Sequence, residues 1–139
     1  MDSFISATQL AAAIRRRELG PVEVARHYLA RIDAHDAAIN AFVWRNDEQV
    51  LANAHAIEQA LAAGEPLGPF AGVPMPLKDL ASVAGQPNTR GSLGISDAPQ
   101  ALNDLIVDRL LGGGFLLMGR TNTPELGQGL TKPCSEFCP

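Results

Sequence analysis

Gly72-Val73-Pro74-Met75-Pro76-Leu77-Lys78-Asp79-Leu80 sets one lysine inside an apolar run and an aspartate directly after it. Val73, Met75, Leu77 and Leu80 flank Lys78, and such a run opened by Gly-Val-Pro predicts a strand. If that strand is buried, Lys78 carries its ammonium into a low-dielectric place. Desolvation disfavours the charged form, so such a lysine is neutral or has a partner. A neutral lysine amine can act as a base towards a serine hydroxyl. The same residues also fit a lysine at a strand end, with its head in water and its stem over apolar surface.

Outward from this stretch, the chain reads as one domain of 139 residues. The formal net charge of −4 and a pI near 5.2 argue against a nucleic-acid surface. The N-terminus has no apolar core of signal length, and no apolar run is long enough to span a bilayer. The expected setting is the cytoplasm. Cys134 and Cys138, the two cysteines, fall within the last six residues without histidine neighbours. They read as free thiols, neither a metal site nor a disulfide framework.

Residues 1–64 predict a helical lead-in. Ser6 and Gln9 fit a capping box ahead of Leu10, Ala13 and Ile14. Arg15, Arg16 and Arg17 suit the helix C-terminus and read as a solvated end, with Gly20 as the stop. Pro21 opens a second helix whose apolar face is Val22, Ala25, Leu29 and Ile32. His27 and His35 read as surface residues. Ala41-Phe42-Val43-Trp44 predicts a short strand. A third helix is expected over 47–63, burying Val50, Leu51, Ala54, Ile57 and Leu61, with Gly64 ending it.

Residues 70–139 predict the start of an α/β core. Beyond the lysine strand, residues 84–96 are polar and read as a loop, and loops after strands often carry function. Asp104 is a candidate N-cap for a helix with Leu105, Val107, Leu110 and Leu111 apolar, closed by Gly112-Gly113-Gly114. Phe115-Leu116-Leu117-Met118 then fits a central parallel strand buried on both faces. Strand, helix and strand make a βαβ unit with helices expected on one side of a parallel pair. The triple glycine follows a helix and so is no dinucleotide fingerprint. Thr121, Asn122 and Thr123 leave the second strand at its C-terminal end, where ligands collect in open α/β sheets. They either line a site or cap a strand-end turn.

Four spaced motifs carry a resemblance: Phe70-Ala71-Gly72-Val73-Pro74, Lys78-Asp79, Thr89-Arg90-Gly91-Ser92 and Gly119-Arg120-Thr121-Asn122-Thr123-Pro124-Glu125. In order and spacing they resemble the amidase signature family over nearly the whole chain. That resemblance implies the N-terminal part of an α/β/α fold around a mixed sheet. It implies hydrolysis of a carboxamide, or transfer of the ammonia released, by a Ser–cis-Ser–Lys triad. Lys78 matches the catalytic lysine, taking a proton from the bridging serine. Asp79 matches a positioning or structural neighbour, with no catalytic role assigned to it. No metal or organic cofactor is implied. The implied partner is a small-molecule amide, with no nucleic acid and no membrane, and a homo-oligomer of the full-length parent is allowed.

The sequence also departs from the family. The Gly- and Ser-rich signature that supplies both serines is missing, and no serine here sits in a Gly-Gly-Ser-Ser context. Ser92 and Ser135 do not match the nucleophile. Thr131, Pro133, Phe137 and Pro139 loosely resemble the approach to the signature. The reading is therefore an amidase represented by its N-terminal part. Its alternatives are a non-catalytic remnant or interaction module, and a protein similar to the amidotransferase subunits that act on misacylated tRNA.

Overall fold

The computed structural model describes residues 2–128. Thr131, Pro133, Cys134, Ser135, Phe137, Cys138 and Pro139 lie outside the described residues. The elements are α1 (Ala7–Arg15), α2 (Pro21–Ile39), β1 (Phe42–Trp44), α3 (Asp47–Ala63), β2 (Pro74–Lys78), α4 (Leu105–Gly112) and β3 (Leu116–Thr121). A 3-10 turn, Glu125–Gly127, follows.

Local chemistry sets the helix ends. Ser6 accepts from the Gln9 amide while Gln9 accepts from the Ser6 amide, the reciprocal capping box. Pro21 occupies the first turn of α2, and Asn46 caps α3 through the Gln49 amide. The arginine triplet does more than face water. Arg16 pairs with Glu18, but Arg15 donates to the Pro69 carbonyl and Arg17 to that of Leu61. Arg15 thus ties the 64–70 linker, and Arg17 the last turn of α3, to the C-terminal end of α1. His27 is half-buried, with Ser3 Oγ 3.0 Å from its Nε2, whereas His35 is exposed.

The sheet is mixed, in the order β1-β3-β2. β2 and β3 run parallel and β1 pairs antiparallel to β3, so β3 is central. Val22, Ala25, Leu29, Val50 and Ala54 of α2 and α3 pack on Leu116 and Met118 of β3. A second cluster joins α1 and α2 to Val73. Val107 of α4 packs with Leu77 and Val83, with Met75 and Leu117 against them. Helices therefore cover both sheet faces, which corrects the expectation of helices on one side. The reason lies in β3: Leu116 and Met118 point one way and Leu117 the other, so both faces are apolar.

α4 buries less than its pattern predicts. Val107 is buried, but Leu105 and Leu111 are 70% and 44% exposed. An eight-residue helix reaches the sheet along one narrow stripe.

One irregularity decides what the site looks like. Between Met75 and Leu77, β2 advances two residues, while β3 advances three, from Leu117 to Arg120. Gly119 makes this bulge with φ +131°. In a regular strand Arg120 would share the face of Leu116 and Met118. The extra residue moves it to the face of Leu117, Leu77 and Asp79. A Cβ on Gly119 would sit 2.6 Å from the Trp44 carbonyl oxygen. Gly119→Ala is expected to destabilise the protein by about 1–3 kcal/mol, from backbone strain and this clash. A urea titration checks it, and an unchanged midpoint would count against the bulge.

Candidate active site

Lys78 is the last residue of β2 and lies opposite Thr121, the last residue of β3. The Asp79 amide donates to the Thr121 carbonyl at 2.8 Å, and the Leu80 amide donates to the Lys78 carbonyl at 2.7 Å. The strand thus ends in a tight turn at the C-terminal edge of the parallel pair. Lys78 is exposed. Of the two readings of Lys78, the structure adopts the strand-end one. The buried charge belongs to its neighbour Asp79, 2% exposed. Alternation along β2 explains this: Leu77 and Asp79 point into the layer with α4, and Lys78 points to the opposite face with Thr121.

Asp79 is the hub of a buried network. One carboxylate oxygen accepts from the Thr89 hydroxyl at 2.7 Å and from the Thr89 amide at 3.1 Å. The other faces Arg120, at 3.4 Å from Nε and 3.3 Å from Nη2. Arg120 is fully buried, and its Nη2 also donates to the Ala81 carbonyl. Its Nη1 is buried with no hydrogen-bond partner among the described residues. Burial pulls the Arg120 guanidinium below the ordinary arginine pKa, and the Asp79 charge pushes it back.

The loop after β2 is drawn into the same place. Residues 84–96 form a loop as expected, but Asn88 is buried and donates to Ser82 Oγ at 3.2 Å. Arg90 has a positive φ, and its carbonyl accepts from the Leu126 amide at 2.7 Å. Gly91 lies so close to Thr123 that a Cβ there would fall 2.5 Å from the Thr123 carbonyl oxygen. Ser92 donates from its hydroxyl to Glu125 Oε1 at 2.7 Å. Ser92 thus serves this loop–loop contact.

The three polar residues after β3 divide their work. Thr121 faces the same side as Lys78. Asn122 holds the strand end: its amide donates to the Ala41 carbonyl at 2.8 Å and its Nδ2 to the Asn40 carbonyl at 3.0 Å. Thr123 is buried against the loop, its hydroxyl donating to the Pro124 carbonyl at 3.1 Å. Lys78-Asp79, Thr89–Ser92 and Arg120–Glu125 therefore meet at one sheet edge, although only Lys78-Asp79 and Arg120-Thr121 are neighbours by strand pairing. The partnership of Arg120 and Thr89 with Asp79 is the part that sequence reasoning missed.

A groove of about 390 Å³ lies elsewhere, lined by Asn53, Ile57, Leu67, Phe115 and Leu117 among others. It has no charged lining residue and sits towards the N-terminal end of β3, away from Lys78. Among the described residues no three His, Cys, Asp or Glu side chains are grouped to hold a metal ion, and no helix is long and apolar enough to cross a membrane.

A family model described as Amidase matches residues 23–138. An acylamidase of Rhodococcus erythropolis is 43% identical over 124 residues, 89% of this chain and 26% of the relative. A glutamyl-tRNA(Gln) amidotransferase subunit of Salinispora tropica is 39% identical over 139 residues, 100% of this chain and 28% of the relative. The chain thus spans between a quarter and a third of the length of these curated relatives. Among solved structures, a bacterial aryl acylamidase of the amidase signature family superposes with a TM-score of 0.83 at 31% identity, covering 88% of this chain and 26% of that one. A structure of a vestigial protein complex, which reveals the origins of an s-triazine catabolic enzyme, superposes with a TM-score of 0.89 at 31% identity. It covers 97% of this chain and 30% of that one.

Proposed function

The chain belongs to the Amidase family, and on that premise we propose that it forms the lysine-bearing part of an amide hydrolase, with Lys78 as the catalytic base. The observation that carries this reading is the placement of Lys78. It ends the inner parallel strand pair at the C-terminal sheet edge, exposed and beside Thr121, next to the buried Asp79–Arg120 ion pair. A ligand-facing amine on a fixed backbone is what general base catalysis needs.

The serines belong to the Gly- and Ser-rich segment, which these 139 residues do not contain. In the proposed reaction Lys78 Nζ takes a proton from the bridging serine. That serine takes one from the nucleophilic serine, whose oxygen bonds to the carboxamide carbon. The C–N bond breaks, and the returned proton leaves with ammonia or an amine. Water then cleaves the acyl ester, releasing the acid and restoring the serine. Lys78 is exposed here, so the serine-bearing segment has to exclude water around it. No organic cofactor or metal enters these steps. A small-molecule amide, a cytoplasmic setting and no direct nucleic-acid contact are parts of the same proposal.

The experiment is to read the gene past codon 139 and treat the complete protein with an amide substrate and hydroxylamine. A Gly- and Ser-rich segment together with hydroxamate formation is the expected result, because hydroxylamine intercepts an acyl-enzyme. A product without those serines, or one that forms no hydroxamate, would sink the reading in favour of a non-catalytic remnant or interaction module. The identity to the Salinispora tropica amidotransferase chain favours a second reading, ammonia transfer within a larger assembly. Glutamine hydrolysis that appears only when a partner protein is added would select it.

A further inference from the structure

The Asp79–Arg120 pair has features that general packing does not require. Both residues are buried, at 2% and 0% exposure. Each sits next to a residue of the exposed edge: Asp79 follows Lys78 and Arg120 precedes Thr121. The guanidinium bridges the Asp79 carboxylate and the Ala81 carbonyl. It therefore grips the turn that ends β2 at two points, both within three residues of Lys78. The other Asp79 oxygen holds Thr89 by amide and hydroxyl. Thr89 begins the loop that Leu126 and Glu125 clasp through Arg90 and Ser92. Arg120 reaches this position only because the Gly119 bulge turns it to the Asp79 face.

We propose that Asp79 and Arg120 are positioning residues for the Lys78 amine, a buried ionic clamp that fixes the strand end, and with it the direction of Lys78, while anchoring the 89–92 loop at the mouth of the site. The proposal rests on the reading of Lys78 as the base. Neither residue of the clamp touches substrate. Its effect is geometric: Lys78 has a long, flexible stem, and the part of its path that the protein controls is the Cα and Cβ direction at the end of β2. Misplacing a reacting group by about 1 Å can lower a rate by about a hundredfold.

The test uses the complete protein and an anilide substrate such as p-nitroacetanilide, with kcat and KM measured separately. The double variant Asp79→Asn with Arg120→Gln removes both charges together, so neither is left buried alone. It is expected to fold, to keep KM within about threefold, and to lose about tenfold to a hundredfold in kcat. Arg120→Lys keeps a cation beside Asp79 and is expected to retain more kcat than the double variant. Wild-type kcat in a folded double variant would overturn the proposal, and so would a loss confined to KM. If the double variant does not fold, Thr89→Val decides. It cuts one side-chain hydrogen bond of the clamp, and a several-fold drop in kcat at unchanged KM supports the proposal, whereas an unchanged kcat refutes it. Lys78→Ala is run in parallel. An active Lys78→Ala enzyme removes the underlying reading, whereas a dead one beside a fully active double variant removes only the clamp.

Discussion

Lys78→Ala in the complete protein is expected to lower kcat/KM by about a hundredfold to ten-thousandfold, the range that a positioned general base supplies. Stability should barely move. Lys78 is exposed, and its side chain makes no hydrogen bond or ion pair among the described residues. Exposed substitutions of this kind usually stay within about 0.5 kcal/mol. The combination is informative, because lost activity with an unchanged melt assigns the residue to chemistry. Lys78→Arg sharpens the test. Arginine keeps the positive charge and the apolar stem, but it does not give up its proton near neutral pH, so it cannot act as a base. If Lys78 worked only as a fixed positive charge, Arg would restore much of the rate. The expected result is that it does not. Substantial turnover by Lys78→Arg would transfer the base role to another group.

The sequence made the elements legible because their signals are local. Ser6 and Gln9 cap α1, Pro21 opens α2, and the helical spacing of Val50, Leu51, Ala54, Ile57 and Leu61 over 47–63 needs no tertiary information. The central strand was legible too, since a fully apolar run at Phe115–Met118 fits burial on both faces. β1 was readable as a strand but not as a neighbour of β3, because antiparallel pairing across more than seventy residues leaves no local trace. The ionic core of the site was hidden for a different reason. Periodicity puts Arg120 on the same face as Leu116 and Met118, and only the bulge at Gly119 moves it across the sheet. A glycine inside an apolar strand is a signal for such a bulge. Read together with a lone arginine after it and a lone aspartate after Lys78, it could have suggested the pair. The exposure of Lys78 follows from the same alternation: in a strand covered on both faces at its middle, the end residue opposite Asp79 still reaches the open edge.

The largest stability effect is expected at Asp79. Asp79→Ala leaves the Arg120 guanidinium buried without its counter-charge and strips the Thr89 amide and hydroxyl of their acceptor. Arg120 starts from a weak position, with Nη1 already lacking a partner among the described residues and burial already disfavouring its charge. Removing one partner of a buried pair typically costs about 3–5 kcal/mol. Against the usual total of about 5–15 kcal/mol, that is a large fraction. The intact pair need not itself be worth that much. Desolvating both ions opposes their attraction, so Asp79→Leu with Arg120→Met, which removes both charges and keeps apolar volume, should cost far less than Asp79→Ala alone. Urea unfolding of the complete protein, with the single and double variants arranged as a cycle, separates the two quantities. A strongly favourable coupling is the expected outcome. If Asp79→Ala instead shifts the midpoint no more than an ordinary surface substitution, Arg120 must find solvent when its partner is gone, and the layer beneath Lys78 is not the closed ionic core its burial indicates.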